Sequence, residues 1–227
     1  MEPVSKNIAI LGCSYTDIFQ FKRPNTESEN WTYKLSQKYP QHKFRNYALQ
    51  STGAEYARIV FDECYDWADY ILLQTTHIQR RSFYVFDGSG DQTLEWKENP
   101  LTDNLSFMRT NGTLITMYSS NISVQGYHPI DKKELALWQR LAPSLLTNPL
   151  SNDISRKWIK HVSKDPKVVV LNFEQDTPDC MWEVFGKPEN WVKNGFVYSE
   201  NDHHFTDKGH TQVLNEYVLN TKIKEVL

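Results

Sequence analysis

The sequence predicts a layered α/β fold built on a parallel sheet, and three observations carry that reading. Residues 8–11 (Ile-Ala-Ile-Leu) form a short unbroken apolar run that stops at Gly12. Such runs suit a strand buried on both faces, as a parallel sheet requires. Residues 69–73 (Asp-Tyr-Ile-Leu-Leu) and 167–171 (Lys-Val-Val-Val-Leu) repeat the pattern. The segments between the first and second of these runs carry helical spacing, and strands alternating with helices give layered α/β architectures.

In chain order, residues 8–11 are the first strand. Thr26-Glu-Ser-Glu29 reads as a capping box for a helix with Trp31, Leu35 and Tyr39 on one stripe, ended by Pro40. Residues 44–48 form a second strand candidate. From Gly53 a helix follows with Tyr56, Ala57, Val60, Phe61 and Cys64 inward, and residues 69–73 are the third strand. The order then breaks. Residues from about 80 to 130 are rich in Gly, Asn, Asp, Ser and Thr with alternating aromatics, and 83–86 and 113–118 read as exposed or hairpin strands. This stretch is an insertion in a single domain spanning 1–227. Its Phe83, Tyr84, Phe86 and Trp96 either face substrate as a lid or pack on the domain's own surface. Asp131-x-x-Glu134 caps a helix with Leu135, Trp138, Leu141 and Leu145 inward, and Ser151 opens another with Ile154, Trp158 and Val162. Residues 167–171 are a clear strand, and 180–197 are ambiguous. Thr206 caps a last helix with His210, Val213, Leu214, Tyr217 and Val218 as its stripe.

Composition narrows the class. With 227 residues, 39% hydrophobic and 23% charged, the chain can bury a core without disulfides and is neither disordered nor membrane-embedded in bulk. A net charge of -3 argues against a nucleic-acid partner held by phosphate neutralisation. Cys13, Cys64 and Cys180 are an odd number, spaced for neither a zinc site nor a redox pair. They point to a reducing compartment. The first residues lack a signal-peptide layout, and no apolar run approaches the roughly 20 residues of a membrane span. The expectation is a cytoplasmic protein with no membrane partner, in which the Asn-x-Ser/Thr sites at Asn30, Asn104, Asn111 and Asn121 carry no glycan. Oligomeric state is unconstrained.

Two clusters can carry chemistry. Ser14 follows Gly12-Cys13 where the first strand ends, and ligands of open α/β sheets bind outside the carboxyl ends of the strands. Alone, such a Ser more often bonds nearby backbone. Asn201-Asp202-His203-His204 precedes the last helix. A serine hydroxyl needs a base, and the base needs a group to orient it; one loop could supply both. His203, His204 and His210 lack zinc-finger spacing, so no metal is expected.

Together these ends resemble the SGNH (GDSL-like) hydrolase family. Its first block, Gly-Asp-Ser, is similar to Gly12-Cys13-Ser14. Its second, Asn-x-Gly-x-x-Gly with an x-Gly extension, is similar to Asn46-Tyr-Ala-Leu-Gln-Ser51-Thr-Gly53. Its last, Asp-x-x-His-Pro, is similar to the run at His204 with Phe205 in place of Pro. The resemblance covers most of the chain outside 80–130. It implies a three-layer α/β/α sandwich of flavodoxin-like type and a serine esterase or acyl hydrolase that needs no cofactor, acting on a small-molecule or glycan ester. It further implies Ser14 as nucleophile, His204 as base and Asp202 as orienting acid. Backbone N–H groups of Ser14 and Gly53, with Ser51 as fallback, form the oxyanion hole. The family's third block, Gly-x-Asn-Asp, is absent; Gln74-Thr75-Thr76-His77 stands there, and strand alternation puts Gln74 and Thr76 on one face to replace the missing Asn. The same alternation turns Cys13 away from Ser14's side. Asn201 or Asp202 could orient His204, and His203 with Glu200 is a competing pair. A non-catalytic binding module on this fold, or an acyltransferase, remains an alternative.

Overall fold

A computed structural model of the protein describes residues 4–17, 30–50, 52–76, 80–85, 94–99, 102–110, 113–118, 121–125, 132–146, 149–173, 179–225 and 227. Its centre is a six-stranded sheet ordered β5-β6-β2-β1-β3-β9. These strands are β1 (Asn7–Leu11), β2 (Lys43–Asn46), β3 (Tyr70–Gln74), β5 (Leu94–Asn99), β6 (Thr102–Thr110) and β9 (Val168–Leu171). β6, β2, β1, β3 and β9 run parallel, and β5 closes the edge antiparallel to β6. The chain steps from β1 to β2 on one side and then crosses to β3 on the other. A crevice therefore opens at the carboxyl end of β1, the topological switch point.

The unbroken apolar strands are explained by two cores. Period-two alternation sends Ile8 and Ile10 to one face and Ala9 and Leu11 to the other. On the first face they meet Trp31 and Leu35 of α1 (Trp31–Lys38), and Val213, Leu214 and Val218 in the turns that follow α5 (Asp207–Gln212). On the second they meet Tyr56, Ala57, Val60, Phe61 and Cys64 of α2 (Ala54–Cys64), with Trp158 and Val162 of α4 (Pro149–Val162). All four residues of the 8–11 run are fully buried, each large aliphatic one contributing about 1.5–3 kcal/mol over an exposed position. The result is an α/β/α sandwich with a mostly parallel sheet.

Several local expectations change. The cap of α1 is Asn30, whose side chain accepts from the Thr32 N–H at 2.9 Å; the capping box at 26–29 lies outside the described residues. Asn30 is itself buried, so its carboxamide serves the helix and the core together. The stretch from 80 to 130 is only partly a separate excursion. β5 and β6 extend the central sheet beyond β2, while β4 (Arg81–Val85), β7 (Thr113–Tyr118) and β8 (Asn121–Gln125) make a three-stranded antiparallel sheet. Phe44 and Leu105 stand opposite each other in the β2–β6 register and share the first core. Phe86 falls outside the described residues, as do the side chains of Phe83, Tyr84 and Trp96. On α3 (Lys132–Leu146), Ala142 and Leu146 are buried and Leu141 faces solvent; on α4, Ser155 is buried and Ile154 exposed. The rest of the two stripes packs inward: Trp138 and Leu145 lie against Ala142 and Leu146, and Trp158 and Val162 join the second core. No helix among the described residues is long and apolar enough to cross a membrane.

Candidate active site

The loop after β1 is held from several directions. Amides of Thr16 and Asp17 both donate to the Cys13 carbonyl, at 2.9 and 2.8 Å, folding residues 13–17 into a tight turn with Ser14 at its crest. Beneath it lies Gln74, wholly buried at the end of β3. Its Oε1 accepts from the Cys13 N–H (3.1 Å) and the Thr16 hydroxyl (2.7 Å), and its Nε2 donates to the Thr75 carbonyl (2.5 Å). From β2, Asn46 Nδ2 donates to the Thr16 carbonyl at 2.8 Å. Asp17 accepts from the Gln50 N–H at 2.9 Å, and Asn30 donates to the Asp17 carbonyl at 3.1 Å. Gly12 must be glycine here, because a Cβ would lie 2.6 Å from Gln74 Oε1 and 2.8 Å from Thr16 Cβ.

The second half of the site is a two-stranded ribbon, β10 (Val197–Ser199) and β11 (Asp202–Phe205), whose turn holds Glu200 and Asn201. Asp202 and His204 are two apart on one strand, so they share a face. Asp202 Oδ1 lies 2.7 Å from His204 Nδ1 and also accepts the His204 backbone N–H at 3.1 Å. Across the gap, His204 Nε2 is 2.9 Å from Ser14 Oγ. The carboxylate makes Nδ1 the protonated nitrogen, leaving Nε2 to accept the serine proton. Thr206 caps α5 as the sequence indicates, accepting from the Gly209 N–H at 3.2 Å, and so fixes the exit of β11.

Ser14, His204 and Asp202 are therefore brought together. His203 alternates to the other side, where its ring meets Trp182 and Trp191 at 6.5 and 5.9 Å. Asn201 is exposed in the turn. Cys13 is buried, its Sγ 3.6 Å from Gln74 Oε1 and turned away from His204.

The two side chains read as substitutes for the family Asn are placed otherwise. Gln74 points under the loop, with its oxygen and its amide nitrogen both engaged there. Its opposite ends cannot be exchanged, since a backbone N–H faces one and a carbonyl the other. The Thr76 hydroxyl donates to the Thr52 carbonyl at 3.2 Å. Alternation correctly separated their positions from Thr75, but it does not reveal that buried polar groups of the loop compete for the carboxamide. Gly53 is the N-cap of α2. A Cβ on Gly53 would fall 2.5 Å from the Arg80 carbonyl oxygen, so the close approach of that backbone requires glycine. Ser51 lies outside the described residues.

Sequence reasoning missed Tyr15. Its ring stacks on the His204 imidazole, with centroids 4.8 Å apart and planes 18° from parallel, and is wedged against Phe173, Trp182 and Phe205. No spacing signal links residues 15 and 204, which meet only through the fold. Behind the site His210 is buried with no partner for Nδ1 among the described residues. Burial pushes its pKa down to about 3, and the charges of Lys34 and His204 act in the same direction.

No family model and no curated protein matches the chain. Among solved structures it is similar to one described as a member of the lipolytic protein G-D-S-L family from Veillonella parvula DSM 2008. The identity is 12%, the TM-score 0.41, and the match covers 96% of this chain and 98% of the other.

Proposed function

We propose that the chain is a serine esterase or acyl hydrolase of the SGNH (GDSL-like) type. One observation carries the reading: a hydroxyl, an imidazole and a carboxylate stand in series, 2.9 Å and 2.7 Å apart, at the carboxyl end of the sheet. Ser14 Oγ attacks the ester carbonyl as its proton passes to His204 Nε2. Asp202 accepts the Nδ1–H and stabilises the imidazolium. The oxyanion is held by the backbone N–H groups of Ser14 and Gly53, with the N-terminus of α2 adding a favourable dipole. The imidazolium then returns its proton to the leaving alcohol, and water, activated by the same nitrogen, releases the acyl group. Every proton has a donor and an acceptor among these residues, and no step calls for a metal or cofactor.

Gln74 and Thr76, engaged elsewhere, do not take the place of the absent family Asn, so two backbone donors carry the oxyanion. That arrangement supports catalysis with a smaller electrostatic contribution, since one donor is worth about 10²–10³ in rate. The test is turnover of 4-nitrophenyl acetate by purified protein. Ser14→Ala and His204→Ala should each lower kcat by at least about 1,000-fold, with His203→Ala within a few-fold of the parent. Ester turnover that survives Ser14→Ala refutes the assignment.

A further inference from the structure

A second recess, of about 310 Å³, opens on the same edge of the sheet. Thr75, Thr76, Val170 and Asn172 line it from the carboxyl ends of β3 and β9, and Arg156, Ile159, Lys160 and Ser163 line it from α4 and its end. Arg156 and Lys160 are four residues apart, which places them side by side on one helix face. Neither forms an ion pair with an acidic group among the described residues, whereas the neighbouring Lys157 is paired with Asp153 at 2.6 Å. In a chain of net charge -3, two cations without an acidic partner at the rim of this recess make it locally positive. The recess neighbours the Ser14 loop through Thr52: the Thr76 hydroxyl donates to the Thr52 carbonyl at 3.2 Å, and the Thr52 hydroxyl lies 2.8 Å from the Leu49 carbonyl and 3.1 Å from the Gly12 carbonyl.

We infer that this recess binds an oxyanionic group, a carboxylate or a phosphate, carried by the ester that Ser14 attacks. The inference rests on the esterase reading and narrows its substrate to anionic esters. A guanidinium offers parallel N–H donors to either oxyanion, and a neighbouring ammonium adds charge without fixing orientation. Both cations are exposed, so the attraction weakens as salt screens it.

The test compares 4-nitrophenyl acetate with mono-4-nitrophenyl adipate, whose far end is a carboxylate. The parent protein should prefer the adipate ester, and that preference should fall with added salt. The double variant Arg156→Glu, Lys160→Glu should lower kcat/KM for the adipate ester at least tenfold, mainly through KM, and leave the acetate within about twofold. Free adipate and inorganic phosphate, tested as inhibitors of acetate turnover, tell carboxylate from phosphate recognition by which competes at lower concentration. Equal losses on both esters, or none on either, overturn the inference while leaving Ser14 as nucleophile. Should the parent hydrolyse neither ester, calorimetric titration of adipate and phosphate decides. Binding lost in the double variant keeps the recess and removes the esterase reading, and no binding in the parent removes the recess as well.

Discussion

Replacing Gln74 by Met removes a hydrogen-bonding hub while keeping its volume. Three buried groups then lose their partner: the Cys13 N–H, the Thr16 hydroxyl and the Thr75 carbonyl. Leaving a buried polar group unsatisfied costs about 1–3 kcal/mol. Because Gln74 is wholly buried, water cannot replace it without opening the loop, so the combined cost is about 3–9 kcal/mol. At roughly 2–4 °C per kcal/mol for a chain of this size, the melting temperature should fall by roughly 6 °C or more. Ester turnover should fall with it, since the turn that carries Ser14 loses its floor. Calorimetry and steady-state hydrolysis on the same preparation separate the two effects. A Gln74→Met protein that melts with the parent yet has lost kcat would refute this reasoning and restore the side chain to the oxyanion, where strand alternation alone had put it.

Asp202→Asn should lower kcat about 10³–10⁴-fold at neutral pH, as losing the charge and the tautomer does elsewhere, whereas Asn201→Ala in the exposed turn should change it only a few-fold; steady-state kinetics reads both. Gly53→Ala should destabilise by about 1–3 kcal/mol, because its Cβ meets main chain rather than a movable side chain; the urea midpoint measures it. Stability should also depend on pH through His210, whose pKa is about 3 in the folded state against 6.5 ordinarily. Between those values the unfolded chain binds the proton and the folded chain does not. Stability is therefore highest above pH 6.5 and falls as pH drops through that window, by up to about 1.4 kcal/mol per pH unit. Urea titrations at several pH values should show that slope, and His210→Phe should flatten it.

The layered fold was legible because buried parallel strands leave a composition signal that needs no partner: residues 8–11 and 167–171 are apolar at every position after the first lysine. The pairing of Ser14 with His204 was legible because both sit at element ends marked by local chemistry, Gly12 before Ser14 and the Thr206 cap after His204. Asp202 was found as the nearest carboxylate, and its two-residue spacing makes sense once 202–205 is a strand. What remained hidden depends on long-range competition. Gln74 is claimed by a loop 58 to 61 residues away, and Tyr15 meets His204 across the whole chain. The mixed polar and aromatic stretch at 80–130 gave no sign that β6 would pair with β2, because a hairpin strand that joins an existing sheet reads like one that does not. The exposure of Leu141 and Ile154 has a similar origin: helical spacing identifies a face, while the neighbours decide which of its members are covered.

The central claim is that Ser14 is a nucleophile activated by His204. Incubation with a fluorophosphonate, followed by peptide mass spectrometry, tests it without knowledge of the natural ester. The parent protein should acquire one phosphonyl adduct on the peptide containing Ser14. His204→Ala should slow labelling by orders of magnitude, and Ser14→Ala should abolish it. A folded parent protein that stays unlabelled, or that carries its adduct at another residue, contradicts the account.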